Sequence, residues 1–231
     1  MKKVLLLLAL LCTTLAANAA TVYVQNDVTN KDFWERTGVQ EKKVTAVANK
    51  IISANKLKGR APVTLKTDNV INALANLYTR NITVLSGSLS AMDNDDELAY
   101  LLSHEIAHSM ETYESPFRVF AMKWMPKKYE FKADLVGIDY MVKAGYNPVA
   151  AIAFANKTLD EPYWDWYLSH PKGSRRLFEM YKHIYTKYPE YLSGPMVHNV
   201  NYINYINSNY AKIKGFEQKQ KNREMQNNEK L

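Results

Sequence analysis

Two histidines with a glutamate between them form the pattern in this chain best suited to chemistry. Residues His104-Glu105-Ile106-Ala107-His108 are a His-Glu-x-x-His motif. Residues four apart lie on one face of an α-helix, so His104 and His108 can bind a single metal ion. Imidazole nitrogens suit zinc, and a catalytic zinc site keeps a position for water beside its three protein ligands. Glu105, about 100° round the helix from His104, can reach such a water. The motif therefore predicts one Zn²⁺ per chain and hydrolytic chemistry.

A downstream pair of acids supplies a candidate for the third ligand. Glu130 lies 22 residues beyond His108, which leaves room for one helix to end and a second to pack against it. Two histidines, a glutamate and a water form a known catalytic zinc set. Asp134, one helical turn after Glu130, can accept the free ring N–H of a ligand histidine. The alternative metzincin zinc motif, which has a glycine and a third histidine after His-Glu-x-x-His, is absent. Glu111 and Glu114 occupy those two positions.

The motif needs a helix, and the residues before it can start one. Asp93 or Asn94 can serve as the N-cap, and the acids at 95–97 place negative charge in the first turn. Apolar residues then recur at helical spacing and predict a core-facing side: Leu98, Leu101, Leu102 and Ile106.

The other elements predict a mainly helical α+β domain with a small β-sheet next to the His-Glu-x-x-His helix. Helices are expected over 40–57, 127–144, 149–159 and 175–188, and strands over 62–66, 69–78 and 81–86. Helix and strand remain alternatives for residues 71–77. We also expect a break at Gly87-Ser88 before the motif helix.

A strand beside the motif helix has a possible use in substrate binding. An edge strand can pair with an extended peptide and lay its scissile bond over the metal. Residues 72–74 or Thr83–Ser86 could serve, and an internal strand is an equal alternative. The aromatic cluster at 163–167 could line a substrate groove or fold its rings onto the core.

The first 20 residues have the pattern of a secretory signal peptide. Lys2 and Lys3 precede an apolar run and a small-residue site that favours cleavage after Ala19 or Ala20. The run is too short to span a bilayer comfortably, and Leu11 before Cys12 argues against a lipoprotein. We therefore expect an exported chain without a transmembrane segment, located in the periplasm or, as the alternative, secreted.

Composition sets limits on the partners of the expected mature chain. Without the two leader lysines, 28 basic and 23 acidic residues remain, a net charge of +5. This charge could favour an anionic envelope surface or acidic substrates, although ordinary solubility explains it as well. The only cysteine is in the leader, so no disulfide is expected. No nucleic-acid motif is present.

Several motifs in order resemble one peptidase family over roughly residues 40 to 190. This is the gluzincin family of the CAAX prenyl proteases, the bacterial heat-shock membrane protease and the soluble periplasmic chaperone-proteases of outer-membrane quality control. The matching pieces are Asn72-Ala73, Asp96-Glu97-Leu98-Ala99, His104-Glu105-Ile106-Ala107-His108, Glu130-Phe131-Lys132-Ala133-Asp134, Ser169-His170-Pro171 and Arg176-Leu177.

The resemblance implies a gluzincin fold and roles for two further residues. His170 would stabilise the oxyanion, or occupy the fourth zinc position at rest. Arg176 would steady the carboxylates around the metal, with Arg175 as the adjacent alternative. The same resemblance implies Glu130 as third ligand and Asp134 as its supporting partner. The sequence differs from the membrane-bound relatives because it shows no transmembrane helices. It differs from the periplasmic chaperone-proteases because it shows no helical repeat domain.

Together these observations predict a signal peptide at 1–20, a lead-in at 21–39, a zinc metalloprotease domain at 40–195 and a polar, basic C-terminal tail at 196–231. The leading hypothesis is an exported zinc endopeptidase acting on protein or peptide substrates, such as misfolded envelope proteins. Glu105 would act as general base. The alternatives are a zinc-stabilised chaperone-like or binding protein with little proteolysis, and a zinc enzyme that hydrolyses small amides.

Overall fold

The computed structural model describes residues 31–58, 61–115, 117–159 and 173–228, with side chains from residue 38 onward. The fold is α+β and mainly helical, as predicted. The predicted signal peptide, His170 and the aromatic cluster at 163–167 lie outside the described residues. The elements are α1 (Lys31–Ala54), β1 (Val63–Lys66), β2 (Ala73–Ala75), β3 (Ile82–Leu85), α2 (Ser86–Ser90), α3 (Asp95–Glu114), α4 (Arg118–Trp124), α5 (Pro126–Lys143), α6 (Val149–Thr158), α7 (Gly173–Lys187), α8 (Val200–Ser208) and α9 (Tyr210–Asn228).

The three strands form a small mixed sheet in the order β1-β3-β2. β1 pairs with β3 in parallel, with Val63 opposite Ile82, and β2 pairs with β3 antiparallel, with Leu74 opposite Thr83. β3 is therefore the central strand, and β2 is an edge strand of the described sheet. Ile82 and Val84, two residues apart and therefore on one face of the sheet, are fully buried.

Helix α3, which carries the motif, is buried around most of its circumference. Asn94 caps it by accepting a hydrogen bond from the N–H of Glu97, and acids fill its first turn. The buried Glu97 carboxylate accepts 2.7 Å and 2.9 Å hydrogen bonds from Lys157 on α6 and from the N–H of Asp93. This ion pair anchors the start of α3 to its neighbour.

Helix α5 packs closely along α3, and a glycine makes the closest approach possible. A Cβ added to Gly137 would lie 3.0 Å from the backbone N and 3.2 Å from the Cα of His104. A methyl group there would meet helix backbone, which cannot move aside as a flexible side chain can. Gly137 thus lets the two helices meet directly behind a motif histidine.

The break predicted at Gly87-Ser88 is wrong, because these residues lie in the short helix α2. A Cβ on Gly87 would lie 2.5 Å from the carbonyl carbon of Asn69. The glycine is needed for this close approach of two backbone segments rather than for a turn.

The described part of the predicted polar, basic tail at 196–231, residues 196–228, also contributes to the core. Tyr202 and Tyr205 on α8 and Ile213 on α9 are buried. The hydroxyl of Tyr181 on α7 donates a 2.6 Å hydrogen bond to Glu217 on α9. Aromatic residues spaced among the polar ones explain how so polar a segment packs.

Within the described residues, no helix combines the length and the apolar character that crossing a membrane requires.

Candidate metal centre

Three predicted ligand side chains converge at the junction of α3 and α5. His104 Nε2 and His108 Nε2 lie 3.2 Å apart. Glu130, from α5, places one carboxylate oxygen 3.1 Å from His108 Nε2 and the other 3.6 Å from His104 Nε2. His104 and Glu130 are buried, and His108 is nearly so. Two residues one helical turn apart and one residue from a neighbouring helix thus face a single point.

These spacings fit a tetrahedral zinc ion. Donor atoms bound at about 2.0–2.1 Å to one tetrahedral ion lie roughly 3.3 Å from each other. The two Nε2 atoms are 3.2 Å apart, and the two Glu130 oxygens lie 3.1 Å and 3.6 Å from one nitrogen each, all close to that value. Two imidazoles and a carboxylate are also the donor set of known catalytic zinc sites. The three residues can therefore hold a metal of this kind.

The charges around His104 favour a cation at this point. Burial alone would lower the pKa of His104, but contacts with Asp134 and Glu130 raise it to about 10. The carboxylates thus make the site attractive to a positive charge, which a proton supplies when no metal is bound. A divalent ion would replace that proton.

Glu105 lies on α3 beside the ligand pair with its side chain buried. Burial raises the pKa of its carboxyl, and the neighbouring His104 and His108 oppose that shift. The backbone of Ala75 on β2 also opposes that shift and lowers the pKa of Glu105. A buried carboxylate with a raised pKa is suited to exchanging protons with a bound reactant.

A buried network supports the ligand histidine from behind. Asp134 lies one turn beyond Glu130 on α5, and its Oδ1 is 2.9 Å from His104 Nδ1. This close contact between an acid and the ring nitrogen raises the pKa of His104. The hydroxyl of Tyr100 donates a 2.9 Å hydrogen bond to the same oxygen.

Arg176 on α7 completes this network with a bidentate contact. Its Nε and Nη2 donate hydrogen bonds of 2.7 Å and 2.6 Å to the two oxygens of Asp134, and its Nη1 lies 3.1 Å from Glu130. Although burial by itself would raise the pKa of Asp134, Arg176 and His104 lower it. The acid therefore stays charged. Arg175, the adjacent alternative, instead lies over the ring of Phe131.

A cleft of about 630 Å³ opens over this centre. The three ligand residues, Glu105 and Arg176 form part of its lining. Further lining residues come from the β2 segment, from the α4–α5 junction and from α6, namely Ile71, Asn72, Ala73, Leu74, Ala75, Leu77, Met122, Pro126, Tyr129, Phe154, Ala155, Thr158 and Leu159.

β2 forms one wall of the cleft and offers backbone groups to it. The carbonyl of Asn72 accepts a hydrogen bond from the N–H of Leu85, so residue 72 faces β3. Residues alternate along an antiparallel ladder, so Ala73 and Ala75 turn their N–H and C=O groups away from β3. The side chain of Leu74 is 55% exposed.

The sequence hypothesis of an edge strand at 72–74 agrees with this topology. The alternative at Thr83–Ser86 is wrong, because β3 (Ile82–Leu85) is paired on both sides. Strand position depends on pairing partners distant in sequence, and the apolar pattern of a short strand does not reveal it.

The structure brings together six of the seven predicted site residues: His104, Glu105, His108, Glu130, Asp134 and Arg176. His170 lies outside the described residues, so its role stays a prediction. Sequence reasoning missed Tyr100 and Gly137. Tyr100 is one turn before His104 on the same face of α3, so its spacing from the motif was a usable signal.

Comparison with known families adds an independent finding. The chain matches the sequence model of peptidase family M48 in two segments, residues 39–113 and 111–183. These segments span the sheet and α3 through α6 and reach into α7, which together carry the centre. No curated protein matches the chain at a significant level.

Proposed function

Because the chain belongs to peptidase family M48 and is therefore a metallopeptidase, we propose that it is an exported zinc endopeptidase acting in cell-envelope protein quality control. The observation that carries this proposal is the convergence of His104, His108 and Glu130 beside the buried Glu105, in a cleft walled by an edge strand.

The proposed metal ligands are His104, His108 and Glu130. Zinc bound there would supply a Lewis acid for the peptide carbonyl and would lower the pKa of water towards neutrality. Asp134 contacts His104, Arg176 lowers the pKa of Asp134, and Nη1 of Arg176 lies 3.1 Å from Glu130. Residues that contact a metal ligand, as Asp134 and Arg176 do here, orient that ligand and raise its basicity.

Glu105 would transfer protons during hydrolysis. Its carboxylate takes a proton from the attacking water and passes it to the leaving amine. Burial raises its pKa, so the protonated form needed for the second step is accessible. Glu105 and Ala75 line the same cleft, so the carboxylate lies near β2, where the substrate backbone would bind.

The peptide would bind by adding a strand to β2. Ala73 presents its N–H and C=O groups outward, and the carbonyl of Ala75 is available on the same edge. Backbone pairing of this kind holds a substrate extended and reads little of its sequence. This suits an enzyme for unfolded proteins, which offer extended segments of many sequences. His170 would stabilise the oxyanion as a hydrogen-bond donor.

Export is supported by the signal-peptide pattern at residues 1–20, with cleavage after Ala19 or Ala20. The expected mature chain has no cysteine, so its folding does not depend on the redox state of the compartment. A periplasmic location and misfolded envelope proteins as substrates follow as part of this proposal.

The test compares degradation of an unfolded protein, such as reduced casein, by the zinc-loaded chain and by the Glu105→Gln variant. Glutamine preserves shape but cannot accept the proton, so we expect a loss of at least about 10³-fold in kcat. Zinc content of both proteins is measured by mass spectrometry. If both bind zinc and neither degrades casein, the protein is the zinc-stabilised binding protein instead. Equal cleavage by both would remove Glu105 as the base.

A further inference from the structure

Tyr100 contacts both a proposed metal ligand and the acid behind that ligand. The ring of Tyr100 lies 6.2 Å from the ring of His104, measured between centroids, with the two planes tilted by 56°. Its hydroxyl donates a 2.9 Å hydrogen bond to Oδ1 of Asp134. The same oxygen lies 2.9 Å from Nδ1 of His104. One side chain therefore touches both residues of the contact that supports the ligand.

The surroundings of Tyr100 fix the position of its ring. The residue is 4% exposed, and its ring packs edge-on against Phe154 of α6, with centroids 6.4 Å apart. Tyr100 lies one helical turn before His104 on α3, so the backbone of a single helix sets the spacing between these two side chains. Because the ring is packed on both sides, the hydroxyl has little freedom to leave Asp134.

Asp134 depends on hydrogen-bond donors because only 1% of its surface is exposed. A buried carboxylate is costly unless hydrogen bonds replace the water that it has lost. Arg176 supplies two such bonds from α7, and Tyr100 supplies a third from α3. The acid, which lies on α5, is therefore held from two other helices.

These two donor residues differ in what else they contact. Arg176 also lies 3.1 Å from Glu130, so it acts on two residues of the metal centre. Tyr100 carries no charge, and within the described residues its hydroxyl donates to Asp134. Removing that hydroxyl should therefore disturb the His104 side of the centre and leave the other two ligands unchanged.

We propose that Tyr100 is a positioning residue: its hydroxyl holds Asp134 against Nδ1 of His104, so that Nε2 of the same ring faces the point where the three ligands meet. The loss of a residue that supports a metal ligand in this way typically lowers metal affinity by about 10- to 100-fold. Phenylalanine could fill the same space beside His104 and Phe154, so core packing does not require the hydroxyl. This inference rests on the proposed metal site.

The first test compares the zinc affinity of the parent with that of Tyr100→Phe, measured by competition with a chromophoric chelator. Phenylalanine keeps the ring and removes the hydroxyl. We expect zinc binding to weaken by about tenfold, the lower end of the usual range, because the contact between Arg176 and Asp134 remains. The measurement requires no peptidase activity, so failure of the proposed function does not affect it.

Tyr181→Phe is the matched control. Tyr181 is 3% exposed, and its hydroxyl also donates to a carboxylate, that of Glu217, at 2.6 Å. Both tyrosines are thus buried and bonded to an acid, but the acid bonded to Tyr181 lies on α9. We expect both variants to lower Tm and Tyr181→Phe to leave zinc affinity unchanged. A lower Tm in Tyr100→Phe with normal zinc affinity would make Tyr100 a packing residue and overturn the proposal.

A double-mutant cycle tests whether Tyr100 acts through Asp134. The Asp134→Ala background lacks the acceptor of the hydrogen bond, so adding Tyr100→Phe should change zinc affinity there by less than about twofold. A tenfold loss in the parent and almost none in this background would assign the effect to the hydrogen bond. An equal loss in both backgrounds would overturn the proposal.

Nuclear magnetic resonance of the metal-free protein keeps the proposal testable if Asp134→Ala does not fold or the parent binds no zinc. With isotope-labelled histidine, the Nδ1–H signal of His104 is assigned by its loss in His104→Asn. In Tyr100→Phe this proton should exchange with water at least about tenfold faster than in the parent, because the acid beside it is held less firmly. The ring signals of His108 should stay unchanged. Equal exchange rates would overturn the proposal, whereas a parent without zinc affinity but with the expected difference would contradict the proposed metal site alone.

Discussion

Arg176 holds Asp134 through two hydrogen bonds, 2.7 Å from Nε to Oδ2 and 2.6 Å from Nη2 to Oδ1. Asp134 in turn lies 2.9 Å from the outer ring nitrogen of His104. A residue on α7 therefore controls the position of a proposed metal ligand on α3 through an acid on α5. The planar guanidinium fork is what makes this contact directional, and lysine cannot reproduce it.

We therefore predict that Arg176→Lys weakens zinc binding by about 10- to 100-fold. Lysine keeps the charge but loses the paired hydrogen bonds, so Asp134 and Glu130 are no longer held in one geometry. Competition with a chromophoric chelator measures the affinity. Arg175→Lys is the matched control, because Arg175 lies over the ring of Phe131. Equal losses in the two variants would contradict a role for the bidentate contact.

Gly137→Ala is expected to disturb the same centre through packing. The new methyl group would lie 3.0 Å from the backbone N of His104, so α5 and α3 must separate by a few tenths of an ångström. We expect a loss of about 1–3 kcal/mol in the free energy of unfolding, together with weaker zinc binding. Urea unfolding and the chelator competition measure the two effects.

Gly215→Ala provides the comparison for that variant. No atom lies within 4 Å of a Cβ at Gly215 in α9, and alanine is the better helix former. This variant should be as stable as the parent or more stable, with unchanged zinc affinity. A stable Gly137→Ala protein with normal affinity would show that the close approach is not required.

The orientation of β2 predicts different outcomes for prolines at neighbouring positions. Ala73 turns its N–H away from β3, so Ala73→Pro should leave zinc content and Tm close to those of the parent. It should reduce kcat/KM for casein by about tenfold, because one substrate hydrogen bond is lost. Leu74 faces Thr83 in the ladder, so Leu74→Pro should lower Tm. Normal kcat/KM in Ala73→Pro would argue against strand addition at β2.

Acid sensitivity should depend on Asp139, away from the metal centre. Burial alone would raise the pKa of this acid, but hydrogen bonds from His183, Lys187 and Tyr188 lower it to about 2. A pKa below the unfolded value of 3.8 means that the stabilisation is complete above about pH 4 and disappears as the pH falls through about 2.

The variant Asp139→Asn should therefore cost on the order of 1–2 kcal/mol at pH 7, allowing for partial exposure of the acid. The difference from the parent should shrink between pH 4 and pH 2. Urea unfolding in the presence of a chelator measures it without interference from zinc. A difference that stays constant over this range would contradict the shifted pKa.

Much of the centre could be predicted because it depends on local geometry. His104 and His108 share a face simply because they are four residues apart in a helix, and the capping residues and apolar spacing around them predict that helix. Glu130 and Asp134 are related in the same way. Tyr100, which the sequence reasoning missed, is related to His104 in the same way, because it precedes His104 by one helical turn. A tyrosine at helical spacing, however, indicates core packing more often than a polar role.

Other features depended on contacts that short-range patterns do not encode. Gly137 would be read from sequence as a weak point in a helix, whereas its use is to admit the backbone of His104. The aromatic residues of α4 alternate with apolar ones that are buried, so composition alone does not tell which of them face solvent.

The sequence by itself determined the family and the proposed metal site: the candidate ligand types, their helical spacing and the candidate base Glu105. Only the tertiary structure decided that Arg176 contacts Asp134 and Glu130, that β2 rather than β3 is the edge strand at the cleft, and that Phe120 and Trp124 of α4 are exposed. The physical reason is the range of the interactions. Spacing within one helix is set by backbone geometry, whereas edge position, burial and the choice between adjacent arginines follow from packing between segments far apart in the chain.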